Sequence, residues 1–484
     1  MQLETLLENI PENDTISLRN ANKLLFEAMG CTCVIIDDDP TGNQTVYDIP
    51  LLTTWDQATL EHEFLQKTPA FFLLTNSRSL TTATVAKIYQ TIGQNIAAVA
   101  EKTGRNFVII SRSDSTLRGH FQTELTALKA SSLYKNEAPI QIFIPVMFEG
   151  GRVTINNTHY IQDASNLIPV NESPFAKDTV FGYQHADLKA WILEKTANSV
   201  SETAIFNFSL KEIRTSPIAV LVEKLLNSKK GNYLIFDAIN YQDLDKITHA
   251  LLTAQQKGAT FLYRTSSSFV PSYLGISPKK LVESTDILTP KNTNGGLVIV
   301  GSYVPKSSSQ LQYLLDRTAA ENHVELEVTN IFEDKQGDYL ASISKKINIK
   351  ISSGQTVILY TSRKLLTGTT AEENLAIGNM VSNALITLVQ SLEHPPKFLL
   401  AKGGITSHDI AIKGLGMRRS TVIGQLLPGV PLWKMSDKTK FPDLAYIVFP
   451  GNVGNESAVY DAINKLTTTT QNEHIKSLAL KKNE

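Results

Sequence analysis

Cysteine is nearly absent from this chain. Among 484 residues only Cys31 and Cys33 occur. That excludes a disulfide framework, and a bridge between residues two apart beside a strand would be strained. No histidine lies near them, so reduced, packed thiols are expected rather than a metal site. An excess of either charge is lacking too. Lys plus Arg number 46 and Asp plus Glu 47, a net charge of -1. This balance gives no global case for nucleic acid or a membrane surface as partner and leaves only local basic clusters to bind phosphate. No uncharged apolar run reaches the length of a bilayer span. The opening Met-Gln-Leu-Glu-Thr has no basic region leading into a long apolar stretch, so no signal peptide is expected. Short-period repeats, low-complexity tracts, a GxxxxGK[ST] loop and a GxGxxG fingerprint are also missing. The expectation is a soluble, cytoplasmic protein.

What is present has globular proportions, 42% hydrophobic and 19% charged, over a length that suits two or three domains with large cores. Short apolar runs rich in β-branched residues alternate with stretches of helical periodicity. An amphipathic helix is expected over 17–29 and another over 81–101, closed by Thr103-Gly104. Strands are expected at 33–36, 50–53, 70–74, 107–110, 140–144, 204–208, 233–237 and 261–263. After a break rich in Ser, Pro, Thr and Asn around 264–295, they resume at 297–301, 323–328, 355–361, 397–401 and 445–449. Strands alternating with helices imply βαβ units and mostly parallel sheets. The expected class is α/β. It has an N-terminal domain over 1–284, a C-terminal domain over 285–470 and a polar, Lys-rich tail over 471–484. Each domain is a mostly parallel sheet flanked by helices, with the active site in the cleft between them.

The chain is organised around residues 33–45. Cys33 to Ile36 read as a buried strand, and Asp37, Asp38 and Asp39 follow before Pro40 and Gly42 stop it. Ligands of open α/β sheets collect beyond the carboxyl ends of strands. Three carboxylates there can hold a metal, hold a polyol or accept a proton. The alternative is an Asx turn, which needs only one Asp. Three further tips in this half are polar: Thr75 to Arg78, Ser111 to Arg118, and Gly150 to Arg152. In a parallel sheet these share one edge, so an anionic, hydroxylated ligand fits their carboxylates, hydroxyls and Arg forks. Against this, Arg112 and Arg118 can serve as salt bridges to the acidic tips. Asp114 can cap a helix expected from about Thr116, with His120 inside it. In the second half, glycine tips follow strands at Gly301-Ser302, Gly403-Gly404 and Gly451 to Gly454, each ahead of an expected helix. The helices are expected from about Lys306 after the first tip and from about Glu456 after the last. Glycines let backbone N–H groups approach a phosphate at a helix N-terminus, which points to a nucleotide.

These residues resemble the four-carbon acid sugar kinase family. The resemblance rests on IIDDDPTGNQTV at 35–46, TNSRS at 75–79, SDSTLRGHF at 113–121, GGR with Thr154 at 150–154, YRTSSSF at 263–269, KGGITS at 402–407 and PGNVG at 450–454. It implies an N-terminal acid-sugar domain, a C-terminal ATP domain, and Mg²⁺- and ATP-dependent phosphorylation of a terminal hydroxyl on a threonate, erythronate or 3-oxo-tetronate type of acid. By motif, Asp38 and Asp39 are the catalytic pair. Arg78, Asp114, Ser115, Arg118 and Arg152 line the sugar-acid pocket, and Ser302, Gly403, Gly404, Ile405, Thr406 and Gly451 contact ATP. No metal ligand is assigned. Many members carry DDLTGA where this chain has Asp38-Asp39-Pro40-Thr41-Gly42-Asn43, and an acidic residue where it has Ile405. Both departures bear on the substrate more than on the nucleotide. An exposed sheet edge or helix face can support a homodimer.

Two other readings compete. Asp37, Asp39 and Thr41 fit the D-x-D-x-T of a haloacid dehalogenase-like phosphatase, in which the first Asp is a covalent nucleophile. That reading leaves the three glycine tips unexplained. A non-enzymatic sensor that binds a sugar acid and closes is the other. Substrate-dependent ADP release separates the kinase from both.

Overall fold

The computed structural model describes residues 2–12, 17–134, 137–164, 166–288, 291–332, 336–363, 366, 370–451 and 453–467. The expected tail over 471–484 and position 452 of the PGNVG motif lie outside the described residues. The chain forms two compact units that divide between Pro278 and Lys279, ahead of the expected 284/285. The reason is local. The Val282 N–H already donates to the Gln425 carbonyl at 2.8 Å, and Lys465 pairs with Glu283 at 3.2 Å.

In the first unit the strands are β1 (Thr32–Asp37), β2 (Ile49–Leu52), β3 (Ala70–Leu74), β4 (Phe107–Arg112), β5 (Ile140–Ile144), β6 (Arg152–Ile155), β7 (Thr158–Asp163), β8 (Asn166–Pro169), β9 (Ile205–Phe208), β10 (Tyr233–Phe236) and β11 (Phe261–Thr265). The main sheet runs β2-β3-β1-β4-β11-β5-β10-β9. Every pairing in it is parallel. Strand β1 is central, paired on both sides, and buried at every residue. This explains its continuous apolar run, since neither face meets water. The helix Thr82–Thr103 is capped by the Thr81 hydroxyl and stopped by Gly104 at φ 64°. It lays Val85, Tyr89, Ile92, Ile96 and Val99 on the core that holds Val34 and Ile36. Each large apolar side chain so buried stabilises the fold by roughly 1.5–3 kcal/mol. Trp191 stacks on Phe143 at 5.3 Å and meets Phe121 edge-on at 4.8 Å in the same core.

Strands β6, β7 and β8 form a small antiparallel sheet, a departure from the βαβ expectation. Its first turn is Asn156-Asn157, with φ 49° and 65°, the left-handed pair that a tight hairpin requires. The Asp237 carboxylate accepts both N–H groups of that turn at 2.8 and 3.1 Å. A second departure lies at Thr116. No helix starts there: Leu117 has φ 66°, and the helix begins at Phe121 with His120 as its cap residue.

In the second unit the strands are β12 (Leu297–Val300), β13 (His323–Leu326), β14 (Val357–Thr361), β15 (Leu399–Lys402), β16 (Arg419–Leu427), β17 (Val430–Met435) and β18 (Ala445–Phe449). Their order is β13-β14-β12-β15-β18-β17-β16. The pairings are parallel from β13 to β18 and antiparallel for β17 with β18 and β16. The β16–β17 hairpin was not among the expected strands. In β16 buried and half-buried residues alternate along its whole length, the pattern of a strand with one face on the core. The helix after β12 begins at Pro305, and the one after β18 at residue 458 rather than near Glu456. No helix among the described residues is long and apolar enough to cross a membrane.

Candidate functional site

The polar tips of the first unit are brought together by register. Asp37, the last residue of β1, is the direct partner of Leu74 on β3 and of Arg112 on β4. The Thr75 N–H and hydroxyl both donate to the Asp37 carbonyl at 2.9 Å. The Ser113 N–H donates to the Thr265 carbonyl at 2.8 Å. The expected residues Asp38, Asp39, Arg78, Asp114, Ser115, Arg118 and Arg152 therefore rise from the carboxyl ends of neighbouring strands or the loops that follow.

The three carboxylates are not equivalent. Asp37 and Asp38 have wholly buried side chains, whereas Asp39 keeps 19% exposure. Arg112 Nη1 lies 3.0 Å from both Asp37 Oδ1 and Asp38 Oδ1, and its Nη2 donates to Ser267 Oγ at 2.9 Å. Asp38 Oδ2 accepts the Asp114 N–H at 3.2 Å and faces Arg78 Nε at 3.4 Å. Asp39 takes the Thr41 N–H at 2.8 Å on Oδ1, together with the Thr41 hydroxyl, and Arg78 Nη2 on Oδ2. Burial pushes the Asp37 carboxyl up to about 7 against the pull of Arg112, with repulsion from Asp38 and Asp39 adding. Burial also raises Asp38, opposed by Arg78 and Arg112. At Asp39 burial is outweighed by Arg78 and the Thr41 hydrogen bonds, which hold the carboxyl below the usual range. One accessible, ionised carboxylate thus stands in front of two buried ones. Gly42 makes this packing possible. A Cβ there would lie 2.3 Å from Arg112 Cζ and from Asp37 Oδ1.

Around this core lie the remaining arginines. Arg78 also reaches Asp114 at 3.5 Å, so it ties the β3 tip to the β4 loop. Arg118 Nε donates to Asp114 Oδ2 at 2.8 Å, and its Nη1 lies 3.7 Å from Asp178. Asp114 closes its own loop by accepting the Thr116 hydroxyl rather than by capping a helix, and the two arginines hold it well below the usual carboxylate range despite burial. Arg112 and Arg118 thus do form salt bridges to acidic groups, yet Arg118 also lies 4.9 Å above the Phe175 ring. Arg152 lies 6.0 Å from that same ring. It donates to the Gly150 carbonyl, and its Nε has no hydrogen-bond partner among the described residues. The Ser115 hydroxyl faces the Met147 sulfur at 3.3 Å.

In the second unit, β12, β15 and β18 are adjacent and parallel, so their three tips lie side by side. Gly403 sits at φ 106°, and a Cβ there would lie 3.4 Å from Ser302 Cβ and 3.7 Å from Thr406 Oγ1. A Cβ on Gly301 would meet the same Thr406 Oγ1 at 3.0 Å. Ser302, Gly403 and Thr406 are therefore one surface, with Gly404 opening the helix Gly404–Asp409 and Ile405 projecting at 63% exposure. Gly451 joins them through Lys402, whose Nζ donates to the Pro450 carbonyl at 2.6 Å and the Gly451 carbonyl at 3.2 Å. Burial, with Lys306 adding, pushes the Lys402 amine down to about 7.

The expected site set does not include Arg112, Ser267, Phe175, Asp178 or Lys402. Two of these could be read from sequence: a charged residue ending an apolar strand, as Arg112 ends β4 and Lys402 ends β15, marks a tip. Phe175 and Asp178 could not, because only folding brings the loop after β8 beneath Arg118.

Residues 33–273 match a sugar-binding N-terminal domain, and residues 297–459 match a nucleotide-binding C-terminal domain. Among solved structures, the chain is similar to a Haemophilus influenzae protein at 16% identity, over 90% of this chain and 100% of that one, with a TM-score of 0.62. It is also similar to a Salmonella typhimurium LT2 protein at 14% identity, over 90% of this chain and 98% of that one, with a TM-score of 0.65. At such identities the likeness is one of fold. No curated protein sequence matches the chain. With both domain families matched in order, and the carboxylate and glycine tips lying where their strands end, the chain belongs to the four-carbon acid sugar kinase family.

Proposed function

We propose that the protein transfers the γ-phosphoryl group of ATP to the terminal hydroxyl of a four-carbon acid sugar of the threonate, erythronate or 3-oxo-tetronate type. The observation that carries this reading is the inequality of the acidic cluster: one accessible, ionised carboxylate, Asp39, backed by two buried ones, with Arg78 on Asp39 and Arg118 on Asp114. Phosphoryl transfer needs positioning and charge stabilisation more than covalent chemistry. Asp39 accepts the proton of the attacking hydroxyl. Asp38, held by Arg112 and the Asp114 N–H, fixes the turn that presents it. Arg152 and Arg118, both over Phe175, grip the substrate carboxylate, with Ser115 and Asp114 on its hydroxyls and Arg78 balancing the charge. Ser302, Gly403, Gly404, Ile405, Thr406 and Gly451 hold the triphosphate through backbone N–H groups and two hydroxyls.

Mg²⁺ enters as part of the MgATP substrate. Mg²⁺ keeps several waters and is usually bound through substrate phosphates and one or two carboxylates rather than in a dedicated protein cage. No cluster of three or more His, Cys, Asp or Glu able to hold a metal occurs among the described residues.

The test is coupled ADP release with D- and L-threonate, D- and L-erythronate, 3-oxo-tetronate and longer aldonates. One strong, Mg²⁺-dependent substrate is expected. Phosphate release from a sugar phosphate without ATP would instead favour the phosphatase, a reading disfavoured by Asp37, its nucleophile, being wholly buried against Arg112. Two variants sharpen the assignment. Arg152→Met is expected to raise the KM for the acid sugar by about tenfold or more, the worth of a hydrogen bond to a charged group, and to leave the KM for ATP unchanged. Gly403→Ala forces a side chain into a left-handed backbone at a cost of about 1–3 kcal/mol. Calorimetric titration is expected to show weaker ATP binding for it, and undiminished affinity would remove this tip from the nucleotide site.

A further inference from the structure

His159 sits on β7, the middle strand of the small antiparallel sheet, and its side chain is fully buried. Its Nε2 lies 2.8 Å from the Ser115 carbonyl oxygen. A carbonyl only accepts, so Nε2 carries the hydrogen. Its Nδ1 lies 3.0 Å from the Thr154 hydroxyl. Burial pushes the imidazole down to about 4, so the ring is neutral at ordinary pH and Nδ1 accepts from Thr154. Both ends of the ring are thereby used, and neither faces a reacting atom.

What His159 joins gives it meaning. Thr154 stands two residues after Arg152 on β6, and β6 is the hydrogen-bonded neighbour of β7. Ser115 stands between Asp114 and Arg118 in the loop after β4. That loop contains Leu117 at φ 66°, a backbone conformation costing a non-glycine residue about 1–3 kcal/mol, which persists only if neighbours impose it. Two aromatic side chains do so by donating to consecutive carbonyls: His159 to Ser115, and the Tyr183 hydroxyl to Thr116 at 2.7 Å. Of these, only His159 belongs to the sheet that carries Arg152.

We propose that His159 is a positioning residue of the acid-sugar site. Its Nε2–H to the Ser115 carbonyl and its Nδ1 to Thr154 set the spacing between Arg152 and the Asp114–Arg118 pair, so that Arg152 and Arg118 address one substrate carboxylate above Phe175. The inference rests on reading this cluster as the acid-sugar site. It does not require that His159 touch the substrate.

The experiment compares His159→Leu and His159→Gln in the full chain. Leucine fills similar volume without a donor, whereas the Gln amide can restore an N–H to the Ser115 carbonyl. His159→Leu is expected to raise the KM for the acid sugar about tenfold or more, as a misplaced binding group does, with the KM for ATP unchanged. His159→Gln is expected to recover most of that loss. Equal changes in both KM values, or lowered heat stability with both KM values unchanged, would overturn the positioning role. If His159→Leu fails to fold, Thr154→Val keeps the ring and removes only its Nδ1 partner. A rise in acid-sugar KM alone is then expected, and an unchanged KM would count against the proposal. Wild-type protein that binds ATP yet turns over no acid sugar would sink the acid-sugar reading itself, and this proposal with it. Wild-type turnover with an unselective His159→Leu would sink the proposal alone.

Discussion

Asp39→Asn is expected to lower kcat by about 10²–10⁴, the usual contribution of a positioned proton acceptor, while leaving the KM for ATP nearly unchanged. The physical ground is the difference between neighbouring carboxylates. Asp38 and Asp37 are wholly buried behind Arg112, and a hydroxyl cannot reach them without opening the turn. Asp39 is reachable, and Arg78 and Thr41 hold it ionised. Its lowered basicity is compatible with the role, because the same carboxylate also orients the attacking hydroxyl, and phosphoryl transfer depends chiefly on positioning and charge stabilisation. Asp38→Asn is also expected to reduce turnover, through the turn rather than through the proton. It loses charge opposite both Arg78 and Arg112. Steady-state kinetics on correctly folded variants decides the matter: full turnover in both would place the proton acceptor elsewhere.

Arg112→Met is expected to be the most destabilising single change in this site, costing about 3–5 kcal/mol, because removing one partner of a buried ion pair leaves the other charge uncompensated. Here it takes the guanidinium from two carboxylates at once, Asp37 and Asp38, of which Asp38 keeps Arg78, and it removes a donor to Ser267, whose own hydroxyl donates to the Gly42 carbonyl at 3.1 Å. The pH dependence has a defined sign. The folded Asp37 carboxyl titrates near 7, above its ordinary value of 3.8, so the folded state binds the proton more tightly. Stability associated with this group is therefore greatest at low pH and is lost as pH rises from about 4 towards 7. Without Arg112 the ionised form is costlier still. The denaturation midpoint of Arg112→Met is expected to fall further below wild type at pH 8 than at pH 5. A deficit independent of pH would show that packing, not charge, is what Arg112 supplies.

The strands and their order of appearance are legible in the sequence for a simple reason. A parallel strand buried on both faces must be apolar at successive positions, and Cys33 to Ile36 and Ala70 to Leu74 are, while Ile140 to Ile144 is broken only by Gln141. From parallelism it follows that the polar tips share an edge, so Asp38, Asp39, Arg78, Asp114 and Arg118 could be grouped before any contact was known. The glycine tips follow by the same logic. The antiparallel parts are less legible. The left-handed Asn156-Asn157 turn and the alternation in β16 are present in the sequence, but they stand apart from the βαβ rhythm around them.

Which carboxylate is buried, and which arginine is paired, was decided by tertiary structure alone. Asp37, Asp38 and Asp39 are adjacent and chemically identical. Register puts Arg112, 75 residues away from Asp37, directly across from it, and that pairing withdraws Asp37 and Asp38 from solvent while Asp39 stays accessible. Likewise Arg112, Arg118 and Arg152 look alike as residues. Contacts made across the fold pair the first with Asp37 and Asp38 and share the second between Asp114 and Asp178, while the third makes no ion pair among the described residues. Sequence periodicity reports which face of an element meets the core. It carries no record of partners brought together by strand order and register, and in this protein those partners set the charge of the site.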